Sequence, residues 1–269
     1  MKSNSETREQ FDKKFSILKP LILNAKKMTV FTGAGVSTLS GIPDFRSSKG
    51  IYSKKWEGLD VEHILSISFF MENPDVFYTW AKAFWYKLDT YEPNVVHRTL
   101  AKLETKGYMR SLYTQNIDML HQKAGSKKQY EVHGSAAHHY CTNCNRHYSY
   151  EEIAPIVLRD EVPRCTACGS LIKPDIVFYG ENLNTHILNR AYEDFRNTDL
   201  CLVLGSSLRV QPAASFPMYA TQNGAPLVIV NAQQTTQDGA ATLRFIDLEK
   251  VFVALESWVD TIEARKSII

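Results

Sequence analysis

The sequence predicts an α/β fold, in which a doubly wound parallel sheet is joined by a smaller second domain. Short apolar runs recur along the chain at wide intervals, at 28–31, 109–113, 200–204 and 227–230. Each run is apolar enough to be buried on both faces, and helical patterns fall between the runs, for example at 97–106 and 188–195. Alternating buried strands and helices are typical of a parallel sheet with helices on both sides.

A helix is predicted before the first strand, because residues 11–27 carry apolar side chains close to helical spacing.

The residues after that strand predict a loop that binds nucleotide phosphate. Gly33 and Gly35 lack a Cβ atom, so the chain can turn tightly and expose backbone amides to an anion. Hydroxyls follow that can cap a helix or bond phosphate and ribose oxygens, on Ser37, Thr38 and Ser40. Neither common nucleotide fingerprint is present, and a plain tight turn is the alternative.

Polar residues also follow the other predicted strands, where a doubly wound sheet binds its ligands. In the segment 114–118, three side chains can recognise a ribose, an amide or a water molecule. The alternative is a polar loop in which Asp118 caps a helix. His133 can act as a general base because the pKa of histidine lies near neutrality. The chain has eight histidines, so residue type alone does not identify the base.

Two insertions interrupt the alternation of strands and helices. Residues 50–91 are rich in aromatic side chains and look helical, and core packing is the preferred interpretation of most of these aromatics. Residues 134–173 contain little apolar sequence, so we expect a metal ion to replace a hydrophobic core there.

The second insertion contains two Cys-x-x-Cys pairs, Cys141 with Cys144 and Cys165 with Cys168. In a chain without a secretion signal, this spacing predicts a zinc site rather than disulfides. Four thiolates complete a tetrahedral shell and leave no position for water or substrate, so the zinc is expected to be structural. Cys201 lies alone in an apolar run and is expected to be a small buried residue.

Composition argues against several classes of function. The chain has 269 residues, of which 44% are hydrophobic and 22% charged, as in ordinary soluble proteins. The formal net charge of +2 gives no reason to expect binding to nucleic acid or to a membrane. The N-terminus has no signal-peptide core, and no apolar run approaches the roughly 18 residues of a membrane span. We therefore expect a soluble cytoplasmic protein of undetermined oligomeric state.

Two segments are candidates for clamping an extended peptide by strand addition. Segment 173–181 leaves the cysteine-containing insertion as an extended, apolar strand that ends at a glycine. Segment 205–212 leaves a predicted strand and offers hydroxyls beside a glycine. An ordinary loop is the alternative interpretation of each segment.

In their order along the chain, these motifs resemble the signature of the sirtuins. The signature includes Gly-Ala-Gly-x-Ser-x-x-Ser-Gly-Ile-Pro-Asp-Phe-Arg at 33–46, Thr-Gln-Asn-Ile-Asp at 114–118 and His-Gly at 133–134. The two cysteine pairs, Gly-Glu at 180–181, Gly-Ser-Ser at 205–207 and Asn231 complete it. The resemblance implies an NAD-dependent protein-lysine deacylase with a Rossmann-like NAD-binding domain formed by 1–49, 92–133 and 174–269. A helical module at 50–91 and a zinc-binding module at 134–173 would form the small domain.

The resemblance also implies roles for individual residues. Asn116 and His133 would be catalytic, with His133 as the general base toward a ribose hydroxyl. Phe45 would lie near the nicotinamide, and Asp118 would hold the nicotinamide amide. NAD would be bound by Gly33, Ala34, Gly35, Thr38, Asp44, Phe45, Arg46, Gln115, Asn116, Ile117, Asp118, His133, Gly205, Ser206, Ser207, Asn231 and Leu248. An acyl-lysine peptide would be bound by Val177, Phe178, Gly180, Glu181 and Val210.

The chain departs from the family pattern at a few positions. Lys173 stands where arginine is usual, Tyr179 where phenylalanine is usual, and Ser206 where threonine is usual. The segment 231–235 lacks the acidic residue often found there. The Tyr-x-x-Arg motif that binds acidic acyl groups in one branch of the family does not occur, which implies neutral acyl groups such as acetyl.

Two other functions use the same motifs. One is a sirtuin-type mono-ADP-ribosyltransferase, and the other is a non-catalytic NAD-sensing module. Asn116 and His133 are both present, which favours deacylation over either alternative.

Overall fold

The computed structural model describes residues 6–45, 50–53 and 55–265. Its strands are β1 (Met28–Thr32), β2 (Met109–Thr114), β3 (Gln129–Glu131), β4 (Gly134–Cys141), β5 (His147–Ser149), β6 (Ile172–Ile176), β7 (Leu200–Leu204), β8 (Leu227–Val230) and β9 (Leu243–Phe245). Six of them form a sheet in the order β3-β2-β1-β7-β8-β9, and every neighbouring pair is parallel. The chain order reverses between β1 and β7, so the ligand site of a doubly wound sheet is expected there.

Helices connect the strands. They are α1 (Arg8–Asn24), α2 (Val61–Ile64), α3 (Ile67–Glu72), α4 (Pro74–Phe84), α5 (Val95–Thr105), α6 (Leu120–Lys123), α7 (Tyr150–Leu158), α8 (Thr185–Arg196), α9 (Phe216–Gln222) and α10 (Leu248–Thr261). The predicted helices at 11–27, 97–106 and 188–195 correspond to α1, α5 and α8, with ends shifted by one to three residues. Within the described residues, no helix combines the length and apolar character that crossing a membrane requires.

The central strands are buried on both faces by two layers of helices. Val30 of β1 faces a cluster with α1, α5 and α10, whereas its neighbour Phe31 faces α8 and α9. The Phe31 ring packs against Phe195 of α8 and Phe216 of α9, with ring centroids 6.2 and 6.1 Å away. Side chains alternate along a strand, so a strand between two such layers must be mostly apolar, and the buried hydroxyls of Thr29 and Ser111 lie within hydrogen-bond distance of each other. This requirement explains why the four apolar runs predicted the central strands.

A second, smaller body consists of the antiparallel sheet β5-β4-β6 together with α2, α3, α4 and α7. One hydrophobic cluster joins these elements, and it includes Trp80 of α4, Ile153 and Val157 of α7, and Ile172 of β6. The expectation that a metal replaces the core of 134–173 is therefore wrong. The few apolar residues of this insertion lie on faces that pack against the helical insertion, so the two share a single core.

The aromatic residues of 50–91 are largely part of that core. Those with almost no exposed surface are Phe69, Phe70, Phe77, Tyr78, Trp80, Trp85 and Tyr86. The preferred interpretation of these side chains as packing residues is confirmed for this set. Phe84 and Trp85 additionally border a cavity beside the main sheet.

Candidate functional site

The loops that follow β1 and β7 meet at the switch point of the main sheet. The amide of Gly33 donates to the carbonyl of Leu204, and the amide of Gly35 donates to the carbonyl of Gly205, at 3.0 and 2.9 Å. These two amides are therefore used within the protein, so a backbone amide that this loop offers to an anion must belong to another residue. The expected tight turn is a 3-10 helix at Ala34–Ser40. The amide of Ala34, at its first position, has no acceptor among the described residues.

The glycines at this junction are needed for close approach of the two loops. A Cβ atom added to Gly35 would lie 2.8 Å from the Cα atom of Gly205. Gly205 has a φ of +59°, and a Cβ atom there would lie 2.4 Å from the amide nitrogen of Val36. Neither distance is possible without moving backbone, so both positions require glycine.

Gly35→Ala is expected to lower the free energy of unfolding by about 1–3 kcal/mol, because the new methyl group overpacks a backbone contact. Denaturant titration monitored by tryptophan fluorescence measures this change. Gly239→Ala is the matched control, since no atom lies within 4 Å of its added Cβ and its φ is not positive. Its stability is expected to stay within about 0.5 kcal/mol of the parent. Equal effects of the two substitutions would contradict the close contact.

A buried hydrogen-bond network connects the β1 loop to the segment after β2. The Asn116 amide nitrogen donates to Ser37 Oγ at 3.0 Å and to the carbonyl of Gly33 at 3.1 Å. Ser37 Oγ in turn donates to one carboxylate oxygen of Asp118. The other oxygen of Asp118 accepts from the amide of Leu120, the first residue of α6, at 3.0 Å, but the N-cap residue of that helix is Met119 rather than Asp118.

Burial controls the charge of the carboxyl groups near this network. It raises the pKa of Asp118, and the hydrogen bonds from Ser37 and Leu120 counteract the shift only in part. Burial is also the main reason why the pKa of Glu131 rises to about 7, with Asp118 and Asp175 adding to the shift and Ser135 opposing it. Both carboxyl groups are therefore harder to ionise here than in water.

A cavity of about 210 Å³ lies beside the network. Asn116, Ile117 and Asp118 line one side of it, and Ala34, Ser37 and Phe45 line another. Apolar side chains complete the wall, namely Ile42, Pro43, Ile51, Ala83, Phe84, Trp85, Leu88 and Tyr91. Trp85 and Leu88 were not predicted as site residues from the sequence. An aromatic or apolar side chain is equally typical of a hydrophobic core, and only the fold shows that these two border the cavity.

His133 lies on the other side of the same segment. Its Nδ1 atom is 3.1 Å from the carbonyl oxygen of Gln115. A carbonyl oxygen only accepts hydrogen bonds, so in the neutral ring Nδ1 carries the hydrogen and Nε2 keeps its lone pair. The side chain of Gln115 donates to Ser206 Oγ at 2.8 Å and so connects the imidazole to the β7 loop. This tautomer is the one that a general base requires.

The residues predicted for the adenosine side lie at the ends of β7, β8 and β9. Ser206 and Asn231 are buried, and Ser207 is half-buried. The Asn231 amide nitrogen donates to the carbonyl of Gln233, whose oxygen also accepts from Arg244. Leu248 begins α10, and its side chain packs on the hydrophobic cluster of that face.

The remaining predicted residues of the β1 loop are placed as follows. Thr38 is exposed, and its hydroxyl donates to the carbonyl of Gly35 at 2.9 Å. The backbone oxygens of Asp44 and Phe45 accept from the amides of Ile51 and Tyr52. The rings of Phe45 and Tyr52 lie 5.3 Å apart. Arg46 lies outside the described residues.

The predicted peptide-binding residues are split between two loops. Phe178 is only 2% exposed, and its ring packs 5.4 Å from Phe70 and 5.2 Å from Phe77, so its side chain is a core residue. Its backbone amide and carbonyl are both hydrogen-bonded to Glu181. Val210 is half-buried in the loop after β7, where its carbonyl accepts from the amide of Ala214.

The four predicted metal ligands come together in the small body. The sulfur atoms of Cys141, Cys144, Cys165 and Cys168 all lie within 4.8 Å of one another. Backbone amides donate to two of them, including those of Cys144 to Cys141 and Ala167 to Cys165. None of the four is in a disulfide. Four clustered sulfurs with amide donors fit a closed tetrahedral zinc site, and Cys201 is buried in β7, as predicted.

Comparison with known proteins agrees with this arrangement. The profile of the Sir2 family matches residues 33–212. An NAD-dependent protein deacetylase of Thermotoga maritima is 45% identical over 225 residues, which cover 83% of this chain and 89% of that protein. NAD-dependent protein deacylase 2 of Archaeoglobus fulgidus is 40% identical over 227 residues, which cover 84% of this chain and 88% of that protein.

Solved structures give the same result. The structure of Sir2Tm bound to a propionylated peptide matches with a TM-score of 0.81 at 39% identity, covering 92% of this chain and 98% of that one. A Sir2 structure with a p53 peptide and NAD+ matches with a TM-score of 0.81 at 39% identity, covering 91% and 97%. Because sequence and structure agree over most of its length, the chain belongs to the Sir2 family.

Proposed function

We propose that the chain is an NAD-dependent protein-lysine deacylase, which passes the acyl group of a modified lysine to ADP-ribose and releases nicotinamide. One observation supports this function most directly. Asn116 and Asp118 line the cavity, while the carbonyl oxygen of Gln115 in the same segment lies 3.1 Å from Nδ1 of His133 and fixes the tautomer of the neutral ring. The names of its relatives, NAD-dependent protein deacetylase and deacylase, agree with this activity. Since the acyl group is passed to another molecule, the enzyme is a transferase.

We assign NAD+ to the switch point, with its pyrophosphate near the free amide of Ala34 and its nicotinamide in the cavity beside Phe45. Asp118 accepts from the nicotinamide amide, which its fixed position between Ser37 and Leu120 supports. The adenosine half is assigned to Gly205, Ser206, Ser207, Asn231 and Leu248. Gly33, Gly35, Thr38, Asp44, Arg46 and Ile117 complete the proposed set. Bound NAD+ supplies an electrophilic ribose carbon and takes up the acyl group.

The chain's own residues orient the reactants and move one proton. His133 takes a proton from a ribose hydroxyl at Nε2, because Nδ1 is held by the carbonyl of Gln115. Asn116 holds the ribose and a water molecule in place, and its side chain is itself fixed by two hydrogen bonds. The zinc takes no part in these steps, since four thiolates leave it no open position.

The hydrophobic clusters support the proposed domain division except near β6, since Ile176 and Phe178 belong to the cluster of the small body. We propose that 1–49, 92–133 and 174–269 form the Rossmann-like domain, and that 50–91 and 134–173 form the small domain. The clusters on the two faces of the parallel sheet support the first unit, and the cluster shared by α4 and α7 supports the second.

A cytoplasmic location is proposed as well, because five cysteines outside any disulfide suit a reducing compartment.

Neutral acyl groups are the proposed substrates, carried on an acyl-lysine peptide that binds beside Val177 and Val210. The α4 region, 76–88, is apolar and aromatic and contains no arginine, so a carboxylate would lose solvation there without a bidentate partner. The kcat/KM for acetyl-lysine peptide is expected to be at least tenfold higher than that for succinyl-lysine peptide. A solvation loss of about 1.4 kcal/mol when the succinyl carboxylate is buried is enough for a tenfold difference.

Mass spectrometry of reactions with NAD+ and peptides that carry acetyl, butyryl or succinyl groups tests these assignments. Deacylation of the neutral peptides with formation of O-acyl-ADP-ribose is expected. A mass gain of ADP-ribose on a protein, without deacylation, would indicate the mono-ADP-ribosyltransferase instead. NAD+ binding without any product would indicate a sensing module.

A further inference from the structure

Lys173 of β6 is a buried lysine that the proposed reaction does not use. It is 2% exposed, which is rare for a lysine without a charged partner. Its ammonium group donates to Glu181 Oε2 at 2.9 Å, to the carbonyl of Ile176 at 2.7 Å and to the carbonyl of Pro174 at 3.2 Å. An ammonium group has three hydrogens, so each of them has an acceptor inside the protein.

Glu181 closes the turn that follows β6. Its Oε2 atom also accepts from the amide of Phe178 at 2.8 Å, and its own amide donates to the carbonyl of Phe178 at 3.0 Å. The ammonium group of Lys173 lies 4.0 Å from the centre of the Phe178 ring. The ion pair therefore fixes the turn 178–181 from its buried side, and the backbone of Tyr179 adds two hydrogen bonds, to Leu65 and Ile67.

The same turn is the predicted peptide-binding edge, and it touches the proposed base. The amide of Val177 donates to the carbonyl of His133 at 2.9 Å. Among the described residues, the carbonyl of Val177 and the amide of Gly180 have no hydrogen-bond partner. An extended peptide that adds to this edge would find both groups available, at a register set by the ion pair.

We propose that Lys173 and Glu181 are positioning residues for the acyl-lysine peptide, because their buried ion pair holds the turn 177–181 in the shape that binds it. The proposal rests on the deacylase function and assigns Glu181 a role different from direct peptide contact. Neither residue touches the cavity assigned to nicotinamide, so peptide binding and NAD+ binding should respond differently to their loss.

Steady-state kinetics of Glu181→Gln and Lys173→Met test the proposal. Both variants are expected to raise the KM for acetyl-lysine peptide about tenfold or more, while kcat and the KM for NAD+ stay within about threefold of the parent. This pattern is expected when a substitution weakens the binding of substrate and of transition state equally. Lys173→Arg restores the charge and is expected to return the peptide KM to within about threefold. Arg159→Met is the control, because it removes the exposed ion pair of Arg159 with Glu161 in the same body.

Each outcome decides between the alternatives. If Lys173→Met does not fold, as judged by NAD+ titration, the nearly isosteric Glu181→Gln carries the test. An unchanged peptide KM in a folded variant, or equal increases of both KM values, would overturn the positioning role while leaving the deacylase function intact. A parent protein that binds NAD+ but deacylates no peptide would instead refute the proposed function, and the positioning role with it.

Discussion

His133→Ala is expected to reduce deacylation of an acetyl-lysine peptide by roughly 10²–10⁴-fold, the usual contribution of a positioned general base. The effect should fall on kcat, because the imidazole acts on a proton rather than on binding. NAD+ affinity, measured by calorimetry without peptide, is expected to stay within about threefold, since the cavity is lined by other residues.

The matched control is His186→Ala, at an exposed position of α8. It removes the same side chain at a position that does not line the cavity and is expected to leave turnover unchanged. If His133→Ala kept turnover within a few fold of the parent, the assignment of the base to His133 would be wrong.

A second informative variant is Gln115→Ala, which keeps the backbone carbonyl that orients the imidazole and should therefore retain most of kcat.

Loss of zinc is expected to unfold the small body rather than to remove a catalytic group. Cys165→Ser should lower zinc content from one ion per chain to a small fraction and abolish deacylation, because a structural zinc contributes folding free energy directly. The core is shared, so the damage should extend from 134–172 into α4. Hydrogen exchange should show lost protection in both regions, while β1, β7 and β8 stay protected.

Cys201→Ala is the control for this experiment, because Cys201 is a cysteine buried in β7, outside the tetrad. It should keep one zinc ion per chain and most of the activity, with a modest loss of stability. Full activity and unchanged hydrogen exchange in a zinc-free Cys165→Ser protein would contradict the structural role of the metal. Unfolding confined to the cysteine loops would contradict the shared core.

The parallel sheet could be predicted from the sequence because its central strands lie between two helical layers. That position favours apolar side chains, and the apolar runs at 200–204 and 227–230 match β7 and β8 residue for residue. The edge strands β3 and β9 have three residues each and carry no such run, so their pairing depends on the neighbouring strand.

The site could be predicted in part. The cysteine tetrad depends only on spacing, and the structure brings all four sulfurs together. The use of the Gly33 and Gly35 amides could not be foreseen, because their acceptors come from a loop about 170 residues away in the sequence. For the same reason the inward position of Glu181 was missed, since its partner Lys173 is recognised as buried only once the sheet is formed.

The stoichiometry of products with NAD+ and an acetyl-lysine peptide tests the central claim most directly. Chromatography with mass detection should find one nicotinamide and one O-acetyl-ADP-ribose for each lysine that is freed. Free acetate as the primary product, or lysine release without NAD+, would contradict NAD-dependent acyl transfer as the function of this chain.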